Sequence, residues 1–114
     1  MRPSRSEYLD LPDVRLHIRR WGNPDAPMLF LLHGWMDVSA SFQFVVDAFA
    51  QERFVLALDW RGFGASEAAP SDSYWFADYL ADLDALLDAR LPGQAIDLLG
   101  HSMGGNVASR FVAQ

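Results

Sequence analysis

No cysteine occurs among the 114 residues. Disulfides and thiolate-ligated metals are therefore excluded, and the redox compartment is left unmarked. Long apolar runs are also missing. The longest strongly apolar stretch, "MLFLLHGW" at 28–35, is far too short to cross a bilayer. The N-terminal "MRPSRSEYLD" is basic, but no apolar segment follows it, so no secretory signal is expected. Repeats and low-complexity blocks are not visible. Basic residues are outnumbered 9 to 15, giving a net charge of −6 and a sequence pI near 4.7. Such a surface repels phosphate backbones and anionic lipids, so neither nucleic acid nor a membrane is expected as a partner. No His/Asp/Glu group has ligand spacing, and no metal or other cofactor is indicated. At 51% hydrophobic the chain can build a core. A soluble, cytoplasmic protein is the expectation.

Hydropathy patterning supplies the elements. "EYLDL" and "VRLHIRRW" alternate around "PD" and read as a hairpin with one solvated face. "MLFLL" and "RFVLALD" are continuous apolar runs, the pattern of strands buried on both faces of a parallel sheet. Between them, Ser39 or Ser41 is expected to cap a helix carrying Phe42, Val45, Val46 and Phe49. A second helix is expected from about Tyr74 to Arg90. Its apolar face carries Phe76, Leu80, Leu83 and Leu87, with Asp78, Asp82 and Asp88 on the other side and Pro92–Gly93 ending it. "QAIDLLG" is a third buried strand, and "MGGNVASRFVAQ" opens a third helix. Alternating strands and helices imply an α/β fold, a mostly parallel sheet led by an antiparallel hairpin.

Where the third strand meets the third helix stands "GHSMG", a G-x-S-x-G match in the strand–turn–helix context that such a motif requires. Gly100 and Gly104 permit a sharp turn, and Gly105 and Ala108 continue the small surface. Ser102 is thereby raised at the carboxyl end of the sheet, where open α/β sheets hold their sites. The amide of Met103, first in the helix, faces a developing oxyanion. A second amide, that of Trp35 after Gly34, is expected at the same edge.

"LLHGWMD", "LALDWRGFGAS" and "LLGHSMGGNVA", in this order, resemble the α/β-hydrolase superfamily from Val14 onward, most closely its serine-hydrolase-like branch with a histidine-glycine-tryptophan oxyanion motif. A serine at the elbow speaks against the dehalogenase and epoxide hydrolase branches, which place aspartate there. The resemblance implies a three-layer fold with an eight-stranded sheet, Ser102 as nucleophile, and the amides of Trp35 and Met103 as oxyanion hole. His33 shapes the oxyanion loop, and His33, Gly34, Met36 and His101 border the substrate. Asp59, Arg61, Gly62 and Gly64 bind and brace the loop after the second parallel strand.

The base is not legible. A serine hydroxyl needs a histidine, and that histidine an orienting acid. The superfamily order is serine, acid, histidine. Yet His17, His33 and His101 all precede Ser102, and no acid follows it. His17 is expected to be exposed on the hairpin. Asp37 reads as a loop residue, Asp59 as a strand-end brace and Asp97 as remote. The 114 residues are therefore expected to be the N-terminal portion of one larger hydrolase domain, with residues 1–6 flexible and the remaining strands, acid and histidine beyond it. The expected reaction is hydrolysis of an ester-like bond, a carboxylic ester or thioester, through an acyl-enzyme. A substrate with a hydrophobic acyl group is suggested by Trp35, Met36, Trp60 and Phe63. The alternative is a naturally short, non-catalytic interaction module. In either case "AIDLLG" forms an exposed apolar edge open to self-association.

Overall fold

The residues around Pro12 pair as the alternation predicts: β1 (Ser4–Asp10) runs antiparallel to β2 (Arg15–Trp21), in register from Ser4↔Trp21 to Asp10↔Arg15. The ladder thus already includes residues 4–6. The computed structural model describes residues 1–49, 51–68, 76–90 and 96–113. The two apolar runs form β3 (Met28–Leu32) and β4 (Phe54–Leu58). Between them a 3-10 turn, Ser39–Phe42, leads into α1 (Gln43–Asp47). Helix α2 spans Phe76–Arg90, β5 spans Asp97–Gly100, and α3 spans Met103–Ala113.

The strands form one sheet in the order β1-β2-β4-β3-β5. β3 pairs parallel with both β4 and β5, while β2 is antiparallel to β4 as well as to β1, so these five strands make a mixed sheet. Two cores flank it. Phe30, Leu32, Phe54, Leu56 and Leu58 face α2 and α3 together with Leu83, Leu86 and Val107. Leu29, Leu31, Val55 and Ala57 face the other way, with Trp21, Phe42 and Val46. This is why the runs are apolar at every position: successive side chains alternate between two buried faces, giving the expected three layers. β5 lies at the sheet's edge, with Leu99 40% exposed.

Two helical details differ from expectation. Neither Ser39 nor Ser41 caps the first helix. The cap position falls on Val38 for the 3-10 turn and on Phe42 for α1, neither making a side-chain cap bond, and Ser41 instead donates to Asp37 Oδ1. In α2 the buried face comprises Tyr79, Asp82, Leu83, Leu86 and Leu87, while Leu80 is only partly buried. Asp82 was expected on the solvated side. It turns inward because Arg61, itself buried, forks onto it with Nε and Nη2 each 2.7 Å from a carboxylate oxygen. Tyr74, the Phe76 side chain and the Pro92–Gly93 stop lie outside the described residues.

Candidate active site

Ser102 occupies the turn between β5 and α3 with φ +55°, the left-handed region. Holding a non-glycine residue there costs about 1–3 kcal/mol, and the surroundings must enforce it. They do so by close approach. A Cβ on Gly100 would lie 2.5 Å from the Gly104 carbonyl and the Gly105 nitrogen. A Cβ on Gly104 would strike the carbonyl of Leu32 in β3. Hydrogen bonds then fix the turn: His101 N–H to the Leu32 carbonyl, Gly104 N–H to that of His101, and Asn106 N–H to that of Ser102, each 3.0 Å. Ser102 itself is exposed. The amide of Met103, first residue of α3, is among those that a helix leaves without an internal partner.

The loop after β3 meets this elbow. A Cβ on Gly34 would sit 3.1 Å from His101 Nδ1 and 3.2 Å from Ser102 Cβ, so Gly34, His101 and Ser102 are in mutual contact distance. Trp35 is 57% exposed, its ring edge-on to Phe63 at 5.1 Å. Met36 is 78% exposed and also left-handed, with φ +61°. Trp60, expected near a substrate, is instead fully buried in the core under Tyr79.

His33 is fully buried and both its ring nitrogens are engaged. Nε2 accepts the Trp60 amide at 3.0 Å, so the proton is on Nδ1, which donates to the Gly34 carbonyl at 2.7 Å. Trp60 Nε1 returns a bond of 2.9 Å to the His33 carbonyl. His33 therefore locks the Gly34 loop to the β4 loop and has no nitrogen left to serve Ser102. Burial lowers its pKa below the ordinary value, outweighing the Gly34 carbonyl and the nearby Asp59 and Asp37 charges. The unfolded chain thus binds the extra proton first, and stability should decline as pH falls from about 6.5 towards the folded value. Urea unfolding of the wild type between pH 7 and 5 should show this decline, and His33→Gln should lose the His33 share of it. A variant slope as steep as the wild type's would refute the assignment.

His17 corrects a second expectation. It is not exposed on the hairpin but 1% accessible. Its ring is covered by Asp59, by Ser6 and by the Tyr8 ring, whose centroid lies 5.2 Å away. His17 Nδ1 is 2.6 Å from Asp59 Oδ2, and Nε2 is 2.8 Å from Ser6 Oγ. Asp59, at the end of β4, also accepts the amides of Ser39 at 2.6 Å and Ala65 at 3.2 Å. Burial pushes its carboxyl up, but these donors outweigh it and hold the pKa below the usual range. Gly64, with φ +54°, passes so close to this carboxylate that a Cβ would lie 2.5 Å from it. Sequence reading missed Ser66, whose Oγ accepts the His17 amide at 2.7 Å and donates to the Asp59 carbonyl at 2.6 Å. The serine in "GFGAS" was its only signal.

The remaining acids lie where they were expected. Asp37 closes its own turn through the Ser41 hydroxyl and the Val38 amide, which hold its pKa low. Asp97 pairs with Arg53 at 3.0 Å, at the opposite end of β5 from Ser102. Among the described residues there is no cluster of three His, Cys, Asp or Glu suited to a metal, and no helix is long and apolar enough to cross a membrane.

Comparisons with known proteins agree with this architecture. A sequence model of the alpha/beta hydrolase fold matches residues 27–114. The chain is 34% identical over 115 residues to a serine hydrolase-like protein of Danio rerio, covering 99% of this chain and 35% of that protein. It is 30% identical over 110 residues to epoxide hydrolase 1 of Caenorhabditis elegans, covering 96% of this chain and 27% of that one. The solved thioesterase domain from the curacin biosynthetic pathway superposes with a TM-score of 0.89 at 28% identity, over 97% of this chain and 42% of that domain. The chain thus spans about a third of the length of the first of these relatives.

Proposed function

Because this chain belongs to the alpha/beta hydrolase fold family, we propose that it carries the nucleophile half of a serine hydrolase site. Ser102 attacks a carboxylic ester or thioester and forms an acyl-enzyme. The amides of Trp35 and Met103 stabilise the tetrahedral oxyanion, while His33, Gly34, Met36 and His101 shape and border the substrate pocket. The observation that carries this reading is the left-handed φ of +55° at an exposed Ser102, enforced by Gly100 and Gly104. Strain of this kind persists where the surroundings over-determine it, commonly at reactive sites. A serine rather than a carboxylate favours the serine-hydrolase-like and thioesterase relatives over the epoxide hydrolases as guides to chemistry. The exposed Trp35 and Met36 favour a hydrophobic acyl group.

On this reading the base and its acid are supplied from outside these 114 residues. His17 and His33 spend both ring nitrogens on Asp59, Ser6, Gly34 and Trp60. That same spending, with the open β5 edge, is what favours the second reading, a non-catalytic interaction module. Labelling separates the two. Treating a cell extract with a fluorophosphonate and recording the intact mass of the natural gene product should show one adduct, on the peptide containing Ser102, in a species heavier than 12.8 kDa. An unlabelled species of 12.8 kDa would instead establish the module.

A further inference from the structure

The chain contains no lysine, and all nine of its basic residues are arginines. Four of them, Arg2, Arg5, Arg20 and Arg53, line a single cavity of about 720 Å³ in which Glu52 is the one acidic lining residue. That concentration is notable in a chain of net charge −6. The cavity opens where β2 ends and β4 begins, its lining including Trp21, Gly22 and Arg53. This is the end of the sheet opposite the Ser102 elbow.

Its walls are tied together. The Arg2 amide donates to Asp47 Oδ1 at 2.8 Å, Gln43 Nε2 to the Arg2 carbonyl at 2.9 Å, and Arg2 Nη2 to the Phe49 carbonyl at 2.9 Å. These bonds lace the N-terminal segment to α1. Gly22, with φ +87°, lies so close to the Arg53 carbonyl that no Cβ would fit, which joins the other two walls. The volume falls within the range of about 300–1,000 Å³ usual for small-molecule sites.

Carboxylates hold some of the guanidiniums without consuming them. Arg20 Nη1 pairs with Glu7 at 2.6 Å while its plane lies over Phe54 at 5.6 Å. Arg53 Nη2 pairs with Asp97 at 3.0 Å, yet its Nε is buried with no hydrogen-bond partner. The buried Nε is closed to a ligand, but a guanidinium carries five N–H groups and keeps several at its Nη atoms for a second anion. Arg5 is exposed beside them. Pre-positioned arginine forks match phosphate and carboxylate geometry.

We propose that this cavity binds a small organic polyanion, bearing two or more phosphate or carboxylate groups, at a site separate from Ser102. Two anionic groups suit a wall in which arginines approach from three separate segments, 2–5, 20 and 53. The remainder of the acidic surface repels nucleic acid and anionic bilayers, and the cavity volume suits a free small molecule.

Calorimetric titration of inorganic pyrophosphate into the natural gene product at low salt tests this. Saturable binding is expected, weakened about tenfold by Arg5→Ala and by Arg53→Ala, and unchanged by Ser102→Ala. Should Arg53→Ala fail to fold, the exposed Arg5→Ala decides. No saturation up to about 10 mM pyrophosphate, beyond the μM-to-mM range of a weak site, would overturn the proposal. So would equal affinity in Arg5→Ala, or binding to anionic vesicles with none to free pyrophosphate. Since Ser102→Ala is inert here, failure would leave the hydrolase reading standing.

Discussion

Ser102→Ala in the natural gene product should lower kcat/KM for an ester substrate by at least about 10³-fold, with the melting temperature nearly unchanged. The two halves of this expectation have separate physical origins. On the proposed chemistry the rate falls because the acyl-enzyme cannot form without Oγ, and what remains is the contribution of the proposed oxyanion amides and binding. Stability is retained because alanine keeps the Cβ and tolerates φ +55° neither better nor worse than serine. The hydroxyl removed is on an exposed residue, so no buried partner is orphaned. Steady-state hydrolysis of a graded series of acyl esters, with thermal unfolding of the same samples, checks both. Turnover within tenfold of wild type would show that another group is the nucleophile. A large drop in melting temperature with the lost rate would leave the chemistry unassigned to Ser102.

The elbow was legible because its signal is local: glycines at 100, 104 and 105 around one serine, after an apolar strand and before a helix. β3 and β4 were legible for the same reason, as uninterrupted apolar runs. What escaped depended on partners distant in sequence. Hairpin alternation alone puts His17 on a solvated face, whereas β2 also pairs with β4, and Asp59 at the end of β4 reaches its ring. Asp82 looked like one of three surface acids until Arg61, 21 residues earlier, folded onto it. Asp37, two residues ahead of Ser39, takes the hydroxyl of Ser41, which sequence alone offers as a helix cap. Nothing in the type of residue 36 announces a left-handed methionine. The four arginines of the cavity are drawn from segments up to 51 positions apart, and periodicity carries no trace of that.

Gly104 provides the sharper test of how the site is built, because two rules predict opposite signs there. It lies in the first turn of α3, and helix propensity alone predicts that Gly104→Ala stabilises by up to about 1 kcal/mol. Packing predicts the reverse. The added Cβ would collide with the Leu32 carbonyl oxygen and lie 2.6 Å from its carbon and 2.8 Å from the His33 carbonyl oxygen. All three are backbone atoms of β3 and its exit, held by the ladders to β4 and β5, so they cannot yield as a side chain would. The helix must withdraw instead, carrying Ser102 and the Met103 amide away from the Gly34 loop. We expect Gly104→Ala to lose about 3 kcal/mol or more in urea unfolding and most of its activity. Gly105→Ala is the control: its Cβ would meet the Gly100 carbonyl alone, the oxygen at 3.1 Å and the carbon at 3.5 Å, and its cost should stay within about 1 kcal/mol. If Gly104→Ala proves as stable as wild type, the elbow is not clamped by contact with β3. The left-handed Ser102 would then need another cause.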